Sequence, residues 1–143
     1  MQSEWCRVAA YVRCFDDAGR VILARIGQDG NPYNDSWTMP GGGMEWGEQP
    51  EHTAVREFRE ETGLEVTLGE LVSVRSTWFD AATAFVGAPG HALGLMFEGS
   101  DPRGRLRTDF AGDDSTVEAA WFTIDEVRSL PRVGLVDWAL DLD

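Results

Sequence analysis

The chain has 143 residues, of which 43% are hydrophobic and 26% are charged, and its formal net charge is −13. This length predicts one domain over residues 1–143, and the apolar content is that of a folded chain rather than a disordered one. The charge argues against binding to nucleic acid or anionic membranes, no apolar run reaches the roughly 20 residues of a membrane span, and no signal-peptide pattern opens the chain, so we expect a cytoplasmic protein.

The basic residues and the cysteines restrict which side chains can bind phosphate and whether a disulfide can form. All 12 basic residues are arginine, so any side-chain cation that contacts a phosphate must be an arginine. Cys6 and Cys14 lie on one predicted strand, where eight residues at about 3.3 Å each separate them by roughly 26 Å. A disulfide requires Cα atoms within about 7 Å. We therefore predict two free, buried thiols.

The chain opens with two predicted strands, Arg7–Phe15 and Arg20–Ile26, in which apolar residues alternate or run together. The turn sequence at 16–19 between them predicts a hairpin. Arg25 falls near the end of the second strand. We interpret it either as a solvated edge residue or as a cation that contacts a substrate phosphate.

A polar loop, Gly27–Ser36, and a short strand, Trp37–Met39, lead to a glycine-rich stretch. This stretch, Pro40–Gly43, cannot be helical, and its glycines allow the backbone to approach a ligand or metal closely. Trp37 is predicted to be a core residue. Trp46 lies in the loop that follows, where it either stacks on a base or anchors the loop against the neighbouring helix.

A helix is predicted from Pro50 to Gly63, because proline suits the first helical turn and glycine can take the left-handed position after the last. Glu57, Glu60 and Glu61 stand at i, i+3 and i+4, so they share one helix face. Three carboxylates there repel one another, and a hard divalent cation is the partner best suited to offset the repulsion. The cluster therefore predicts a metal site, although a row of charges alone is also typical of a solvated helix face.

Two more strands are predicted after the helix, Glu65–Trp78 with a kink at 68–70, and His91–Glu98. The stretch 79–90 between them is rich in small residues and is predicted to be a loop. His91 is a strand-end residue, which we interpret either as a surface residue or as a substrate contact.

Residues 101–114 have the composition of a flexible loop. Arginines alternate within it, and two interpretations are open. They form a solvated charged loop, or they belong to a mobile lid that brings an arginine to the phosphates. The arginines concerned are Arg103, Arg105 and Arg107.

The C-terminal part reads as a short strand followed by two helices. Ala119–Phe122 has the composition of a strand, and Thr123 and Glu126 fit a capping box that opens a helix. An amphipathic helix over Leu135–Leu142 follows. Strands on both sides of one central helix, together with these C-terminal helices, predict a mixed sheet covered by helices.

The stretch from Gly42 to Leu64 resembles the signature of the Nudix hydrolases, G-x5-E-x7-R-E-U-x-E-E-x-G-U, in which U is a bulky apolar residue. Phe58 is an aromatic residue at the first U position. Every fixed position of the signature is filled, and the residues that fill them are Gly42, Glu48, Arg56, Glu57, Phe58, Glu60, Glu61, Gly63 and Leu64. The resemblance implies the Nudix fold, an α/β/α sandwich with a mixed β-sheet. It also implies that the signature helix packs on the sheet and that its loop lies over the metals.

The resemblance implies a metal site as well. Glu57, Glu60 and Glu61 are expected to bind Mg²⁺, or Mn²⁺ in its place, together with the backbone carbonyl of Gly42. A carboxylate that is not fully used by metal can take a proton from water. Glu60 or Glu57 is expected to share this duty of general base.

Further residues near the acids follow from the same resemblance. Arg56 is expected to orient the acidic cluster and to pair with Glu48. Some relatives take an additional catalytic acid from outside the signature. Glu118 is the first candidate for that acid, and Glu98, at a strand end, is the second.

The activity implied by the resemblance is cleavage of a diphosphate linkage by water that the metal activates. The substrate would be a small nucleotide, namely a nucleoside diphosphate linked to another group: a nucleoside triphosphate, an oxidised nucleotide or an ADP-ribose type. Residues 77–80 carry neither the proline typical of ADP-ribose relatives nor the tyrosine of dinucleoside polyphosphate relatives. Nucleic acid and membrane are not expected as partners, and a homodimer is left open.

Two other functions are compatible with such a fold. The alternative to catalysis is a nucleotide-sensing Nudix-like domain that binds without cleaving, although such domains usually lose signature acids. A prenyl diphosphate isomerase would need an acid–base cysteine, whereas Cys6 and Cys14 precede the signature on a predicted core strand.

Overall fold

The computed structural model describes residues 5–79, 90–110 and 115–142. Within them, seven strands and three helices occur in the order β1 (Trp5–Cys14), β2 (Val21–Ile26), β3 (Trp37–Thr38), β4 (Gly41–Gly43), α1 (Pro50–Thr62), β5 (Leu64–Phe79), β6 (Gly90–Gly104), β7 (Thr116–Phe122), α2 (Ile124–Arg128) and α3 (Gly134–Leu140). The predicted loop over 79–90, except at its two ends, and residues 111–114 of the predicted arginine loop lie outside the described residues. None of these three helices is long and apolar enough to cross a membrane.

The strands form two sheets. A mixed four-stranded sheet has the order β4–β1–β6–β5, with β1 parallel to β6 and antiparallel to β4. A three-stranded antiparallel sheet has the order β3–β2–β7. Helix α1 packs on β1 and β5, while α2 and α3 lie against the second sheet. The predicted α/β fold, with a mixed sheet covered by helices, is confirmed.

The predicted turn between the first two strands is present, because the Asp16 amide donates to the Arg20 carbonyl at 2.8 Å, but the predicted pairing of the two strands beyond it is wrong. β1 and β2 belong to different sheets, and among the described residues an isolated bridge between Phe15 and Val21 is what pairs their ends. The reason lies in β2, whose first four residues are completely buried. Ile22 packs into the cluster under α1, whereas Leu23 packs into the cluster under α3. A strand that is apolar on both faces needs cover on both sides, and it finds this between the helical layers.

Two apolar clusters hold the layers together. In one, Val12 of β1 packs with Phe58 of α1, and both are fully buried. In the other, Leu23 of β2 packs with Val136 of α3. Trp37 belongs to the second cluster and is 7% exposed, which confirms that it is a core residue.

The two cysteines are free, as predicted, but only one is buried. Cys14 is enclosed in the α1 cluster, and its burial raises the pKa of the thiol to about 11. Cys6 is exposed near the start of β1, so the prediction of two buried thiols is wrong for this residue.

Helix α1 has the predicted ends. It begins at Pro50 and ends at Thr62, and Gly63 follows in the left-handed conformation with φ of 79°. The Gly63 amide donates to the Arg59 carbonyl at 2.8 Å, which closes the helix. Ala54 and Phe58 are fully buried, so they fix the rotation of α1 against the core.

β5 and β6 form a long antiparallel pair. The predicted kink is present, because the register shifts between Leu68 and Leu71. β6 continues to Gly104, so the prediction that a flexible loop begins at residue 101 is wrong. Arg103 lies opposite Glu65 in the ladder, since β5 starts directly after α1 and offers the chain a partner strand there.

The predicted capping box is also present. Thr123 accepts from the Glu126 amide at 3.1 Å, and the Glu126 carboxylate accepts from the Thr123 amide at 2.8 Å. The last helix spans Gly134–Leu140 and bonds to the four-stranded sheet, because Trp138 donates its indole N–H to Ser73 at 2.9 Å. This contact closes one side of the space between the sheets.

Candidate active site

The three glutamates of α1 share one face but differ in exposure. The side chain of Glu60 is 54% exposed, whereas that of Glu57 is 18% exposed. Glu61 points inward, towards β4 and β7. The exposure of the three carboxylates therefore decreases from Glu60 through Glu57 to Glu61.

Glu61 is the most enclosed of the three. Its Oε1 accepts a hydrogen bond from the Gly41 amide at 2.8 Å, and its Oε2 accepts one from the Thr116 hydroxyl at 3.2 Å. Burial raises the pKa of this carboxyl to about 8, and the negative charge of Glu57 adds to the rise. The structure thus holds a buried carboxyl that has hydrogen bonds but no paired cation among the described residues.

Arg56 links the acids to the loop before the helix. Its Nε and one terminal nitrogen donate to the two oxygens of Glu48 at 2.7 and 2.9 Å. The other terminal nitrogen donates to Glu57 at 3.0 Å and to Glu60 at 3.3 Å. The Glu48 carboxylate is 7% exposed, and the Arg56 guanidinium holds its pKa far below the usual range. This bidentate pair fixes the loop against α1.

The glycines of β4 stand between the sheet and the acids. A Cβ on Gly42 would lie 2.7 Å from the Glu57 carboxyl carbon, so only glycine leaves room for that carboxylate. Hydrogen bonds at Met44 and at Pro40 join both flanks of β4 to β1. Gly42 is paired with β1 between them, so the alternation of an antiparallel ladder turns its carbonyl into the sheet. Gly41, whose amide bonds to Glu61, is turned towards the acids instead.

The donor set suits a hard divalent cation. Carboxylates are the ligands that Mg²⁺ prefers, and burial raises the pKa of Glu57 as well as that of Glu61, which is the mark of acids that lack sufficient positive charge. As the side chains stand, no three acidic, histidine or cysteine groups among the described residues converge on one point. Arg56 and the Gly41 amide hold the carboxylates apart. We conclude that the chemistry of these residues fits a cation, and that their side chains would have to come closer together to share one.

The acids considered outside the signature are elsewhere. Glu118 lies opposite Arg25 in the β2–β7 ladder and accepts from its Nε at 3.0 Å. Because Ala120 and Phe122 on the same face pack towards α3, strand alternation places Glu118 on that face and not on the α1 face. Glu98 pairs with Arg13 at 2.7 Å. The structure brings neither acid into contact with the three glutamates.

The residues considered for substrate binding have different surroundings. Arg25 is held by Glu118 and by Asp35, the latter at 3.1 Å. Trp46 is completely exposed, so its interpretation as a packed loop anchor is wrong. His91 stacks on Trp78 with a centroid distance of 3.7 Å, and its buried Nε2 has no hydrogen-bond partner among the described residues.

Of the loop arginines, Arg107 lies nearest the signature helix. It donates to the backbone carbonyl of Glu60 at 2.6 Å, and its guanidinium stacks over the Phe110 ring at 4.4 Å. Its hydrogen bond to α1 is therefore with the backbone at the end of the helix.

A cleft of about 450 Å³ opens between the sheets beside the glycine strand. Its walls contain the aromatic residues Tyr11, Tyr33 and Trp138, several aliphatic side chains, and a second arginine, Arg75, on β5. Arg7 lines this cleft from β1, and sequence reasoning did not single it out. The signal was available in strand alternation, because Arg7 and Tyr11 lie on the face of β1 opposite to Ala10, Val12 and Cys14, which are completely buried.

Comparison with known proteins gives a consistent picture. The NUDIX domain family model matches residues 5–139. An RNA pyrophosphohydrolase from Sphingopyxis alaskensis is 31% identical over 116 residues, which cover 78% of this chain and 68% of that protein. One from Caulobacter vibrioides is 40% identical over 110 residues, which cover 73% of this chain and 58% of that protein.

The fold has close structural counterparts. The crystal structure of a MutT NUDIX hydrolase from Burkholderia pseudomallei superposes with a TM-score of 0.77 at 25% sequence identity. The match covers 96% of this chain and 97% of that one. The similarity therefore extends over nearly the whole fold and not only over the signature.

Proposed function

The chain belongs to the NUDIX family, and from this premise we propose that it is a Mg²⁺-dependent pyrophosphohydrolase that cleaves a diphosphate linkage in a nucleotide. The observation that carries the proposal is the acidic face of α1. Glu57, Glu60 and Glu61 stand together there, beside a glycine strand that leaves them room and an arginine that holds two of them. A solvated helix face would have no need of a buried carboxyl with a raised pKa.

The cation would be held by these three glutamates. We place the backbone ligand at the Gly41 carbonyl rather than at Gly42, since the Gly42 carbonyl is turned into the sheet. When bound, the cation supplies charge neutralisation at the phosphoryl oxygens and lowers the pKa of water.

The protein residues supply orientation and proton transfer. Arg56 pairs with Glu48 and bonds to Glu57 and Glu60, so it ties the acidic face to the loop before α1. Glu60 is the most exposed of the acids and can reach water, which suits it to accept a proton as general base. Glu57, whose pKa burial raises, is the second candidate for that role.

We propose two substrate classes for the test, free nucleotides and RNA with a 5′ triphosphate. The aromatic walls of the cleft suit a nucleobase, which favours a nucleotide of either class. The net charge of −13 favours a small nucleotide, because a long polyanion would be repelled. The names of the relatives from Sphingopyxis alaskensis and Caulobacter vibrioides favour RNA.

A substrate panel tests the proposal. It contains nucleoside triphosphates, oxidised guanine nucleotides, ADP-ribose, dinucleoside polyphosphates and a short 5′-triphosphorylated RNA, each incubated with Mg²⁺ and resolved by chromatography. We expect one class to be cleaved fastest, and Glu61→Gln to reduce that rate by about 100-fold or more, because loss of even an outer-sphere partner costs about 10- to 100-fold.

The matched control is Glu65→Gln, which removes an acid that pairs with Arg59 outside the cluster. It should cleave at the wild-type rate. Full activity of Glu61→Gln would contradict the proposal. A nucleotide that binds tightly and stays intact with Mg²⁺ would favour the sensing domain instead.

We propose the outer edge of β5 as the surface of a homodimer. Leu71, Val72 and Val74 are 46%, 41% and 52% exposed at this sheet edge, where monomeric proteins usually place charges. The neighbouring charges are Glu70 and Arg75, which two antiparallel copies could bring opposite each other. Light scattering should give twice the chain mass for the wild type and the chain mass for Val74→Arg, and a monomeric wild type would contradict the proposal.

A further inference from the structure

Arg7 is a cation beside the acidic face that the proposed chemistry does not use. It lies on β1, next to Ala92 of β6, and its side chain crosses Gly43 of β4. Its Nε and one terminal nitrogen are 3.0 and 3.2 Å from the point where a Cβ of Gly43 would be. Burial raises the pKa of Glu57, and the charges of Arg56 and Arg7 oppose this rise, so Arg7 lies within electrostatic range of the cluster.

Most of the other arginines near the site are paired with carboxylates, and Arg75, which also lines the cleft, lies on β5 and is separated from the glycine strand by β1 and β6. Arg56 is bonded to three glutamates, Arg25 to Glu118 and Asp35, and Arg13 to Glu98. Arg7 forms no hydrogen bond or salt bridge with the described residues, although the chain contains 25 acidic residues. An exposed arginine that forms no hydrogen bond or salt bridge with a described carboxylate, in so acidic a chain, is available to bind an anion such as a ligand phosphate.

The position of Arg7 indicates which anion. It lines the aromatic cleft together with Tyr11, Tyr33 and Trp138. It also lines the neighbouring groove along the glycine loop, which contains Trp46. Arg7 therefore stands at the border between the cleft, which suits a nucleobase, and the acids, which suit a cation bound to phosphate.

Building on the proposed function, we infer that Arg7 binds the phosphate attached to the nucleoside, with the nucleoside in the cleft. A guanidinium can hold a phosphate with two parallel hydrogen bonds, and Gly43, which has no side chain, leaves the guanidinium free to turn towards the cleft. In the proposed reaction this phosphate remains with the nucleoside, so Arg7 also contacts the monophosphate product.

Binding of the product tests this inference without metal or turnover. Calorimetry in EDTA compares AMP with adenosine and GMP with guanosine. For the wild type we expect at least one monophosphate to bind roughly 10- to 100-fold more tightly than its nucleoside, since a hydrogen bond to a charged group typically has that effect. Arg7→Gln should abolish this preference while the nucleoside affinity stays unchanged, and Arg7→Lys should retain part of it.

The control is Arg128→Gln, which removes an exposed arginine from the last turn of α2. It should keep the wild-type preference. Because Arg7 is exposed, Arg7→Gln should unfold at the wild-type temperature, and thermal scanning checks this. An equal preference in Arg7→Gln and wild type, or no preference in the wild type, would overturn the inference.

The substrate panel separates the two proposals. A wild type that cleaves nothing, yet loses its monophosphate preference on Arg7→Gln, would contradict the proposed catalysis and support the phosphate contact. A wild type that cleaves a nucleotide, with an unchanged monophosphate preference in Arg7→Gln, would support the catalysis and contradict the contact.

Discussion

The three glutamates of α1 are the same residue type, but the structure gives each a different environment. Glu60 is exposed, Glu57 is held by Arg56, and Glu61 is enclosed between Gly41 and Thr116. Burial raises the pKa of Glu57 and of Glu61. The difference in exposure between Glu60 and the other two acids permits a division between metal binding and proton transfer.

The buried carboxyl of Glu61 should make the metal-free protein less stable as the pH rises. Its pKa is about 8 in the folded protein against 4.5 normally, so between these values the folded state keeps a proton that the unfolded state has released. The unfolded state binds fewer protons, and the free energy of unfolding therefore falls with rising pH. Glu61→Gln removes this effect.

Thermal scans in EDTA check this prediction. We expect the melting temperature of Glu61→Gln minus that of the wild type to be larger at pH 8 than at pH 4.5. The same difference at both pH values would mean that Glu61 ionises normally in the folded protein.

Gly42→Ala should impair the site without unfolding the protein. The new Cβ would lie 2.7 Å from the Glu57 carboxyl carbon, so the carboxylate has to move. A displacement of about 1 Å at a reacting centre can cost about 100-fold in rate, and we expect a loss of roughly 10- to 100-fold. Steady-state kinetics on the substrate identified by the panel measures it, and a rate equal to that of the wild type would contradict the close contact.

At the scale of elements, α1 depends on its two ends. Gly63 ends the helix at a positive φ and lets the chain turn directly into β5. The bidentate pair of Arg56 and Glu48 ties the preceding loop to the first turns. These contacts set the position of the helix that carries the acids, and each end can be tested separately by substitution.

Gly63→Ala should destabilise the protein more than Gly19→Ala. Both glycines have φ of 79°, so both variants carry the left-handed penalty of about 1–2 kcal/mol. A Cβ at Gly63 would also lie 2.7 Å from the Arg105 carbonyl oxygen, whereas at Gly19 nothing lies within 4 Å. Denaturant unfolding of the two variants isolates the clash, and equal losses of stability would contradict it.

Arg56→Lys should reduce activity by about 10- to 100-fold, because a lysine cannot hold both oxygens of Glu48 while also reaching Glu57. Arg59→Lys is the control, since Arg59 is 56% exposed and contacts Glu65 at 3.6 Å. Steady-state kinetics of both variants checks this prediction. Equal rates for Arg56→Lys and Arg59→Lys would show that a positive charge at position 56 is sufficient.

At the scale of the whole molecule, the chain has a formal net charge of −13, and three of its acidic residues lie close together on one face of α1. Self-repulsion of this kind lowers the stability of the compact state. A cation that binds the folded protein and not the unfolded chain offsets it.

Mg²⁺ should therefore raise the melting temperature relative to EDTA at the same ionic strength. The stabilisation is about 2.7 kcal/mol when the free cation is at 100 times its Kd. The variant in which both Glu57 and Glu60 are replaced by Gln should lose the shift, as measured by thermal scanning. An equal shift in the variant would indicate that Mg²⁺ acts through general screening.

The sequence by itself determined the features that depend on near neighbours along the chain. Pro50 and Gly63 predicted both ends of α1, and the capping box at Thr123 predicted the start of α2. The spacing of Glu57, Glu60 and Glu61 predicted one acidic face. Helix periodicity and cap chemistry act over three or four residues, so these features can be read from a short window.

Only the tertiary structure decided which strands pair and which arginines remain available. The hairpin expected for the first two strands gave way to two sheets, because β2 needs apolar cover on both faces. Arg25 and Glu118 are 93 positions apart, and their pairing withdraws both from the acidic face. The position of Arg7 is set by the pairing of β1 with β6 and by Gly43 of β4, which its side chain crosses, and both strands come later in the sequence. Such contacts depend on strand order and register, which arise from the packing of the whole chain.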